Sequence, residues 1–327
     1  MRRIIFYEPK SAVVEQCDPP VVTGANVMIR SEYSLVSNGT ERTIFQRHFD
    51  LGTHWDRWVR YPFFPGYATV GRILEIGPDV SPAEVGRRVA VRAPHASHHV
   101  VGLRQCIPIP DTVGFEDAVW FALAKIGFLA TWATKISLGT AVLVIGGGPV
   151  AQMLIRWLAL GSARAVGVLT NDPMRLDAAR AGGAKVILKG YTHEHSNSDI
   201  EKSFGTRPHI VFDCTDSPDV FGWALGVVAN YGRVVVIGDP GSPDRRRLTS
   251  DVLLRAVTVT GIHDHSTYGR WTEHDISKIF FEKISRGLFD LRGLCAHTFL
   301  PDHAPAAYTL LDQRLNGVLG IRFDWRQ

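Results

Sequence analysis

Residues 142–152 read VLVIGGGPVAQ, an apolar run followed by three glycines and the start of an apolar helix. The stretch carries a G-x-G-x-x-A motif and a helix start, at Gly146, Gly148, Pro149, Val150 and Ala151. Gly146 permits a tight turn, Gly148 lets the backbone approach a pyrophosphate, and Ala151 keeps the helix close to the strand. A pyrophosphate then lies at the helix N-terminus, where unpaired N–H groups favour anions. The stretch therefore predicts a dinucleotide-binding α/β unit.

The residues around this motif alternate between strands and helices. Between 113 and 262, apolar runs such as RAVGVLT, HIVFDCT and RVVVIGD are joined by helical stretches such as PVAQMLIRWLAL. Strands that are buried on both faces and joined by helices are typical of a doubly wound parallel sheet. Residues 1–112 instead alternate short β-rich runs with Pro, Gly and Asp, which predicts a small, largely antiparallel barrel or sandwich. The pattern of residues 263–327 is mixed.

The composition is that of an ordinary globular protein. Of the 327 residues 45% are hydrophobic and 21% are charged, and the length leaves room for about two domains. The net charge is +4, and the tight basic run Arg245-Arg246-Arg247 predicts a solvated loop, with contact to a ligand phosphate as the alternative. We therefore expect no nucleic-acid partner.

Cysteines and apolar runs indicate the compartment. The cysteines lie too far apart in sequence for a disulfide framework or a C-x-x-C metal site, at Cys17, Cys106, Cys214 and Cys295. The N-terminus lacks the long apolar run of a signal peptide. The longest apolar stretch, residues 119–133, contains Lys125 and is too short to span a bilayer, so it predicts a buried helix. We therefore expect a cytoplasmic protein with no membrane partner.

The residues that follow the second strand of the α/β unit indicate which dinucleotide binds. An NAD site normally carries an acidic residue at that strand end. Here Thr170 and Asn171 occupy it, with Asp172 next and Arg175 in the following helix. A carboxylate repels a 2′-phosphate, whereas Thr, Asn and Arg can donate hydrogen bonds to it, so we predict NADP, with NAD as the alternative. In the other interpretation Asp172 caps the helix and Arg175 only lies on its surface.

Four segments along the chain resemble the medium-chain dehydrogenase/reductase superfamily. They are SNGTE at 37–41, PGYATVGRILEIG at 65–77, HHVVGLRQCIPIPD at 98–111 and the loop from Gly146 to Ala151. SNGTER, PGYATVGRI and the closing FDWR are also similar to the branch that contains bacteriochlorophyllide a dehydrogenase. The resemblance implies a GroES-like catalytic domain at residues 1–112 and 263–327, a Rossmann domain at residues 113–262, and a homodimer that acts on a small molecule.

The positions that hold catalytic zinc in the zinc-dependent members carry other residues here. By resemblance, Asn38 replaces a cysteine, and Tyr67 and Ala68 replace the histidine and glutamate of G-H-E. The third ligand position falls near Ile126 or Gly127. Catalytic zinc needs three ligands from Cys, His, Asp or Glu, so we predict no metal. A histidine-rich stretch is interpreted as structural or surface-exposed, at His95, His98 and His99.

Hydrogen-bond donors are the candidates to replace the metal. Zinc stabilises a developing alkoxide by several kcal/mol, and one well-placed donor contributes roughly 3 to 4 kcal/mol. The resemblance gives Thr40 the place of a proton-relaying hydroxyl and brings Tyr67 into the same pocket, so we predict that Tyr67 exchanges a hydrogen bond with the substrate oxygen. Alternatively, its ring only fills the space of the metal. Lys125 is a second catalytic candidate, because burial can lower a lysine pKa, unless it extends to water. Glu41 is interpreted as support for its loop.

The resemblance also places residues beside the nicotinamide ring and the substrate. On the cofactor side they are Cys214, Ile237, Gly238, Asp239 and Ile262. His263 is a catalytic polar contact there or, alternatively, a hydrogen-bonding group at the domain junction. On the substrate side they are Asn38, Trp55 and Trp58. The two tryptophans belong to an aromatic-rich stretch, residues 49–67, which predicts a bulky or planar substrate unless these rings pack a domain or dimer interface.

The sequence thus predicts a zinc-independent, NAD(P)-dependent oxidoreductase that moves hydride between nicotinamide and a carbonyl or secondary alcohol of a fairly bulky small molecule. One alternative is NADPH-dependent reduction of the C=C bond of an enone or quinone, which zinc-less members of the superfamily often perform. A second alternative is a non-catalytic dinucleotide-binding protein. Products from an enone distinguish the first two, because an allylic alcohol and a saturated ketone are different compounds.

Overall fold

A computed structural model describes residues 1–266, 269–313 and 317–327. The chain divides into two compact units. The first unit comprises Met1–His48, Trp58–Ala122 and Glu273–Gln327, and the second comprises Phe49–Arg57 and Leu123–Thr272. Compared with the expected domain boundaries, residues 113–122 group with the first unit and residues 263–272 with the second. Residues 49–57 also join the second unit, where the Asp50 N–H donates to Gly241 O at 2.9 Å.

Strands and helices occur throughout both units. In chain order the strands are β1 (Arg2–Ile5), β2 (Val13–Gln16), β3 (Asn26–Leu35), β4 (Thr69–Ile76), β5 (Arg88–Val91), β6 (His98–Gly102), β7 (Ile107–Pro108), β8 (Ala141–Ile145), β9 (Ala165–Thr170), β10 (Val186–Lys189), β11 (Ile210–Asp213), β12 (Arg233–Val236), β13 (Thr258–Gly261), β14 (Cys295–Phe299) and β15 (Gly320–Asp324). The helices are α1 (Asn38–Gln46), α2 (His54–Trp58), α3 (Phe115–Ala118), α4 (Phe121–Thr134), α5 (Pro149–Leu160), α6 (Pro173–Ala181), α7 (Asn197–Phe204), α8 (Pro218–Val227), α9 (Asp251–Leu254), α10 (Glu273–Ser285) and α11 (Ala304–Asp312). Within the described ranges, no helix combines the length and apolar character that crossing a membrane requires.

The second unit is built on a parallel sheet with the strand order β10-β9-β8-β11-β12-β13. Every residue of β8 and of β11 is buried, as expected for strands covered by helices on both faces. The predicted doubly wound α/β fold is confirmed. Strand order reverses between β8 and β11, and ligands of such sheets bind at the carboxyl ends of the strands at this reversal.

The first unit contains a mainly antiparallel sheet. Its strand order is β14-β15-β3-β4-β5-β7, with β6 paired to β3, and β1 and β2 form a separate pair. The exception is the parallel pair of β14 and β15. Alternate residues of the strands point to one face and pack together there, among them Val27, Ile29, Ile73, Val89 and Val91. The predominantly antiparallel character that the sequence predicts for the N-terminal region is confirmed.

Candidate active site

The glycine motif forms a tight turn at the carboxyl end of β8. Gly146 has φ +92°, a conformation that favours glycine, and its N–H donates to Leu169 O at 2.9 Å. A Cβ on Gly148 would meet no atom within 4 Å, so open space borders the turn where α5 begins. The first turn of α5 contains Pro149, Val150 and Ala151. The Gln152 amide donates to Gly147 O at 3.1 Å and fixes the loop. The loop therefore fits a pyrophosphate held by the first N–H groups of α5.

The residues after β9 form the expected adenosine end of the site. Asp172, 2% exposed, caps α6 by accepting N–H groups of its first turn at 2.9 and 3.4 Å, and its other oxygen lies 3.3 Å from Arg175 Nε. Capping is thus the role that the geometry gives this acid. Thr170 is buried, and Asn171 Nδ2 donates to the hydroxyl of Tyr191 at 2.8 Å. Tyr191, which the sequence did not single out, is exposed and lies two residues after the end of β10, at the same edge of the sheet.

Two loops meet closely at the carboxyl ends of β11 and β12. A Cβ on Gly238 would lie 1.8 Å from Thr215 O, so only glycine permits this approach. The N–H groups of Ile237 and Gly238 both donate to Asp213 O at 2.9 Å. Cys214 lies in the same place, and burial raises the pKa of its thiol well above the usual range, so the thiol stays protonated. The cofactor-side candidates Cys214, Ile237 and Gly238 are therefore neighbours.

A buried ion pair supports these loops. The Asp213 side chain is fully buried, and its Oδ1 accepts the hydroxyl of Thr215 at 2.7 Å. Arg246 Nη2 lies 3.7 Å from the other carboxylate oxygen and also donates to Gly238 O. Burial raises the pKa of Asp213. Arg245 and Arg247 are exposed as expected, but Arg246 is mostly buried, and its charge lies opposite the buried carboxylate of Asp213.

The remaining cofactor-side candidates lie within the second unit. The Ile262 side chain is buried, and its N–H donates to Val236 O at 2.9 Å. Asp239 Oδ2 is 3.2 Å from Nε2 of His54, which lies in the segment 49–57. This contact ties that segment to the loop after β12.

Lys125 and His263 also belong to the second unit. Lys125 Nζ lies 3.3 Å from Asp264 Oδ1, so it takes part in an ion pair rather than extending freely into water or lying in wholly apolar surroundings. The His263 ring stacks on that of His265 with centroids 5.2 Å apart. Burial, followed by the proximity of His265, lowers the pKa of His263, which favours a neutral imidazole.

The two tryptophans expected to border the substrate differ in exposure. Trp55 is 5% exposed and stacks on Phe49 with centroids 6.4 Å apart, so its main role in the second unit is packing. Trp58 is 52% exposed and meets Phe63 edge to face at 5.6 Å in the first unit. Of the two tryptophans, Trp58 has the larger exposed surface and is therefore the one that a ligand could contact.

Tyr67 occupies a polar position in the first unit. Its hydroxyl donates to Ser37 Oγ at 2.7 Å, and the guanidinium carbon of Arg92 lies 5.1 Å from its ring centre. Thr40 is half-buried in the first turn of α1, three residues after Ser37. Glu41 Oε1 accepts the Ser37 N–H at 2.7 Å, which supports the interpretation that this acid holds its loop.

The positions that the resemblance assigns to zinc ligands carry no cysteine, histidine or acidic side chain. Asn38 Nδ2 donates to Leu319 O at 2.9 Å, and Ala68 is a buried apolar residue. A side chain at Gly127 would place its Cβ 2.8 Å from Leu154 N, so the backbone of α5 excludes a ligand there. Within residues 1–266, 269–313 and 317–327, no three His, Cys, Asp or Glu side chains are grouped to hold a metal ion. This donor set lacks the three ligands that catalytic zinc requires.

Comparison with known proteins links the chain to dehydrogenases. Residues 149–279 match the family model described as zinc-binding dehydrogenase. L-threonine 3-dehydrogenase of Bacillus licheniformis is 22% identical over 297 residues, covering 79% of this chain and 82% of the relative. Two solved structures share the fold over 99% of both chains: RspB of Escherichia coli CFT073, described as a short chain alcohol dehydrogenase complexed with NADH (TM-score 0.84, 18% identity), and 2R,3R-butanediol dehydrogenase of Bacillus subtilis (TM-score 0.82, 16% identity).

Proposed function

We propose that this chain is an oxidoreductase of the medium-chain dehydrogenase/reductase superfamily, and that it interconverts a secondary alcohol and its ketone with NADP as the hydride carrier and without zinc. The observation that carries the proposal is the hydroxyl of Tyr67, which is hydrogen-bonded to Ser37 at 2.7 Å. The sequence resemblance gives this position to a metal ligand in zinc-dependent dehydrogenases. When bound, the nicotinamide ring gives or takes the hydride. The substrate oxygen must gain a proton when the ketone is reduced and lose one when the alcohol is oxidised, and we propose that this proton passes to and from solvent through the hydroxyls of Tyr67 and Thr40.

Tyr67 and Thr40 are the proposed partners of that oxygen. A phenol can donate one hydrogen bond and accept another, so Tyr67 can turn its proton from Ser37 to a developing alkoxide. One such donor contributes roughly 3 to 4 kcal/mol, and a second from Thr40 brings the total into the range that a Lewis-acidic metal supplies. Arg92 lies beside the Tyr67 ring, and its charge is balanced by Glu273, whose Oε1 is 2.5 Å from Arg92 Nε.

The proposed NADP preference depends on the loop after β9. Asp172 is committed to capping α6 and to Arg175, so it is not placed to accept the ribose hydroxyls of NAD. Arg175, Asn171 and Tyr191 supply donors at the same edge of the sheet. The NADH in the RspB structure makes NAD the alternative cofactor.

The proposed substrates are secondary alcohols with a polar group on the neighbouring carbon. L-Threonine and 2R,3R-butanediol, named for two of the relatives, share that feature. In this chain, the exposed Trp58 ring offers an apolar surface for a larger substituent. We therefore extend the class to bulkier alcohols and their ketones.

Turnover with a defined panel tests the proposal. The purified protein is assayed for NADP⁺ and NAD⁺ reduction with L-threonine, 2R,3R-butanediol and an aryl-substituted vicinal diol, and for NADPH oxidation with the matching ketones and an enone. We expect ketone as the oxidation product and allylic alcohol from the enone. Saturated ketone from the enone would establish C=C reduction instead. Elemental analysis of the same sample should find far less than stoichiometric zinc, and stoichiometric zinc that is needed for turnover would refute the metal-free mechanism.

We also propose that the protein is a homodimer joined through β13. In the described part of the chain this strand pairs with β12 alone, so it is an edge of the sheet. Val259 on the strand and the nearby Leu253 and Leu254 are exposed, the last two by 84% and 79%. An exposed edge with apolar neighbours is suited to pairing with a second copy across a two-fold axis.

A further inference from the structure

His95 and Glu41 form a buried pair that the proposed reaction does not use directly. Their side chains are 0% and 1% exposed, and His95 Nε2 lies 3.0 Å from Glu41 Oε2. Burying two titratable groups is unfavourable unless their polar atoms are satisfied by hydrogen bonds. The partners of the pair therefore indicate what it holds in place.

Hydrogen-bond partners lie on both sides of the His95 ring. Trp325 Nε1 donates to Ser34 Oγ at 2.8 Å, and the same oxygen lies 2.7 Å from His95 Nδ1. The Ser34 oxygen accepts from the indole and can exchange a further hydrogen bond with Nδ1. Nε2 faces Glu41 Oε2 on the other side of the ring. The orientation of the imidazole is thus fixed from both sides.

Glu41 transmits this orientation to the loop that precedes α1. Its Oε2 also accepts the hydroxyl of Tyr308 at 2.5 Å, and its Oε1 accepts the Ser37 N–H at 2.7 Å. Ser37 Oγ in turn accepts the hydroxyl of Tyr67 at 2.7 Å. A continuous series of contacts therefore runs from His95 through Glu41 and Ser37 to the phenol.

His95 also contacts the turn on the other side of Tyr67. The backbone N–H of His95 donates to Pro65 O at 2.8 Å. Gly66 has φ +93°, and a Cβ on it would lie 2.8 Å from three atoms of the His95 ring, so the turn rests directly on the imidazole. The position of Tyr67 is thus set from the turn before it and from the serine that binds its hydroxyl.

We propose that His95 is a positioning residue that sets the place of the Tyr67 hydroxyl, through Glu41 on one side and the Pro65–Gly66 turn on the other. This inference rests on the proposed role of Tyr67 in the reaction. His95 does not touch substrate or cofactor in this mechanism. Its loss displaces a reacting group, and displacement by about 1 Å can lower a rate about 100-fold.

The test compares His95→Leu, which removes both hydrogen bonds, with His95→Gln, whose amide can still donate to Glu41. His99→Leu is the matched control, because His99 is a second buried histidine of the same unit that lies outside this series of contacts. We expect His95→Leu to lower kcat about 100-fold with a much smaller change in substrate KM. The kcat of His95→Gln should be at least about tenfold higher than that of His95→Leu. His99→Leu should keep the wild-type kcat. Hydrogen exchange of a peptide spanning residues 34–41 should accelerate in His95→Leu only.

The outcomes separate this inference from the proposed function. Wild-type kcat in His95→Leu, while Tyr67→Phe is impaired, would overturn the role of His95 and leave the proposed function intact. Wild-type kcat in Tyr67→Phe would refute the proposed function. The hydrogen-exchange measurement would then decide whether His95 holds the loop, and unchanged exchange in His95→Leu would overturn that role of His95. Should His95→Leu fail to fold, Tyr308→Phe removes a single oxygen that donates to Glu41. A reduced kcat in that variant supports the inference, and a wild-type kcat contradicts it.

Discussion

The hydroxyl of Tyr67 donates a 2.7 Å hydrogen bond to Ser37 Oγ. The serine is held by Glu41, and the face of the Tyr67 ring lies against the guanidinium of Arg92. The ring therefore keeps its place whether its oxygen takes part in chemistry or not. This arrangement separates the two interpretations of Tyr67 cleanly, because removing only the oxygen leaves the packing of the ring unchanged.

Tyr67→Phe should lower kcat about 100-fold, because one donor to a developing oxyanion is worth about 3 kcal/mol. KM should change little, since the contribution is made in the transition state. Steady-state kinetics with the best alcohol of the panel measure both parameters. Tyr61→Phe is the control: Tyr61 also lies in the first unit, but its hydroxyl donates to Ile44 O, so we expect wild-type kcat. A Tyr67→Phe enzyme that matches the Tyr61→Phe enzyme would assign Tyr67 a space-filling role.

Arg175→Ala should selectively weaken the binding of NADPH. Arg175 is the cation beside the Asp172 cap, and a charge-assisted hydrogen bond to a 2′-phosphate is lost without it. We expect the KM for NADPH to rise about tenfold or more and the KM for NADH to stay the same.

Arg180→Ala provides the matched control for the cofactor measurement. Arg180 lies on the same helix and forms the same kind of ion pair three residues apart, with Asp177 at 2.6 Å, but at a more exposed position. It should leave both KM values unchanged. An equal loss for NADPH and NADH in Arg175→Ala would indicate a structural role for the Arg175–Asp172 pair instead of 2′-phosphate recognition.

The parts of this molecule that follow local rules could be predicted from sequence. The turn at Gly146 needs a positive φ, which glycine adopts readily, and the whole turn lies within one short sequence motif. The parallel sheet follows from continuous apolar strands such as β8, whose residues are all buried. Asp172 as a helix cap was also foreseeable, because a short acidic residue before Pro173 is typical of a helix start.

Pairings between distant segments could not be predicted in this way. His95 and Glu41 lie on separate segments of the first unit, and no periodicity reveals that their side chains meet. Arg246 was expected in solvent because its neighbours in sequence are charged, yet it balances the buried Asp213. Residues 49–57 were counted with the N-terminal region, although contacts such as that between His54 and Asp239 attach them to the second unit. In each case the deciding partner lies far away along the chain.

Val259→Pro should convert the proposed dimer to a monomer. The N–H groups of Thr258 and Ile262 donate into the sheet, to Gly232 O and Val236 O at 2.9 Å. Because N–H directions alternate along a strand, the N–H of Val259 points to the outer edge, where proline removes it. Size-exclusion chromatography with light scattering measures the mass of each variant. Val259→Thr keeps the N–H and should remain dimeric, and a dimeric Val259→Pro protein would exclude β13 as the pairing edge.

His99 should make the protein less stable as the pH falls. Burial lowers the pKa of His99 from about 6.5 to about 4, so the folded protein resists a proton that the unfolded chain binds. His99 therefore lowers the free energy of unfolding by about 3 kcal/mol as the pH falls from about 6.5 to about 4. Below that range the contribution of His99 stays constant. His99→Leu removes this contribution, so its urea-denaturation midpoint should depend less on pH than that of the wild type. His48→Leu, at an exposed position of the same unit, should keep the wild-type dependence, and equal pH dependence in all three proteins would contradict the assignment.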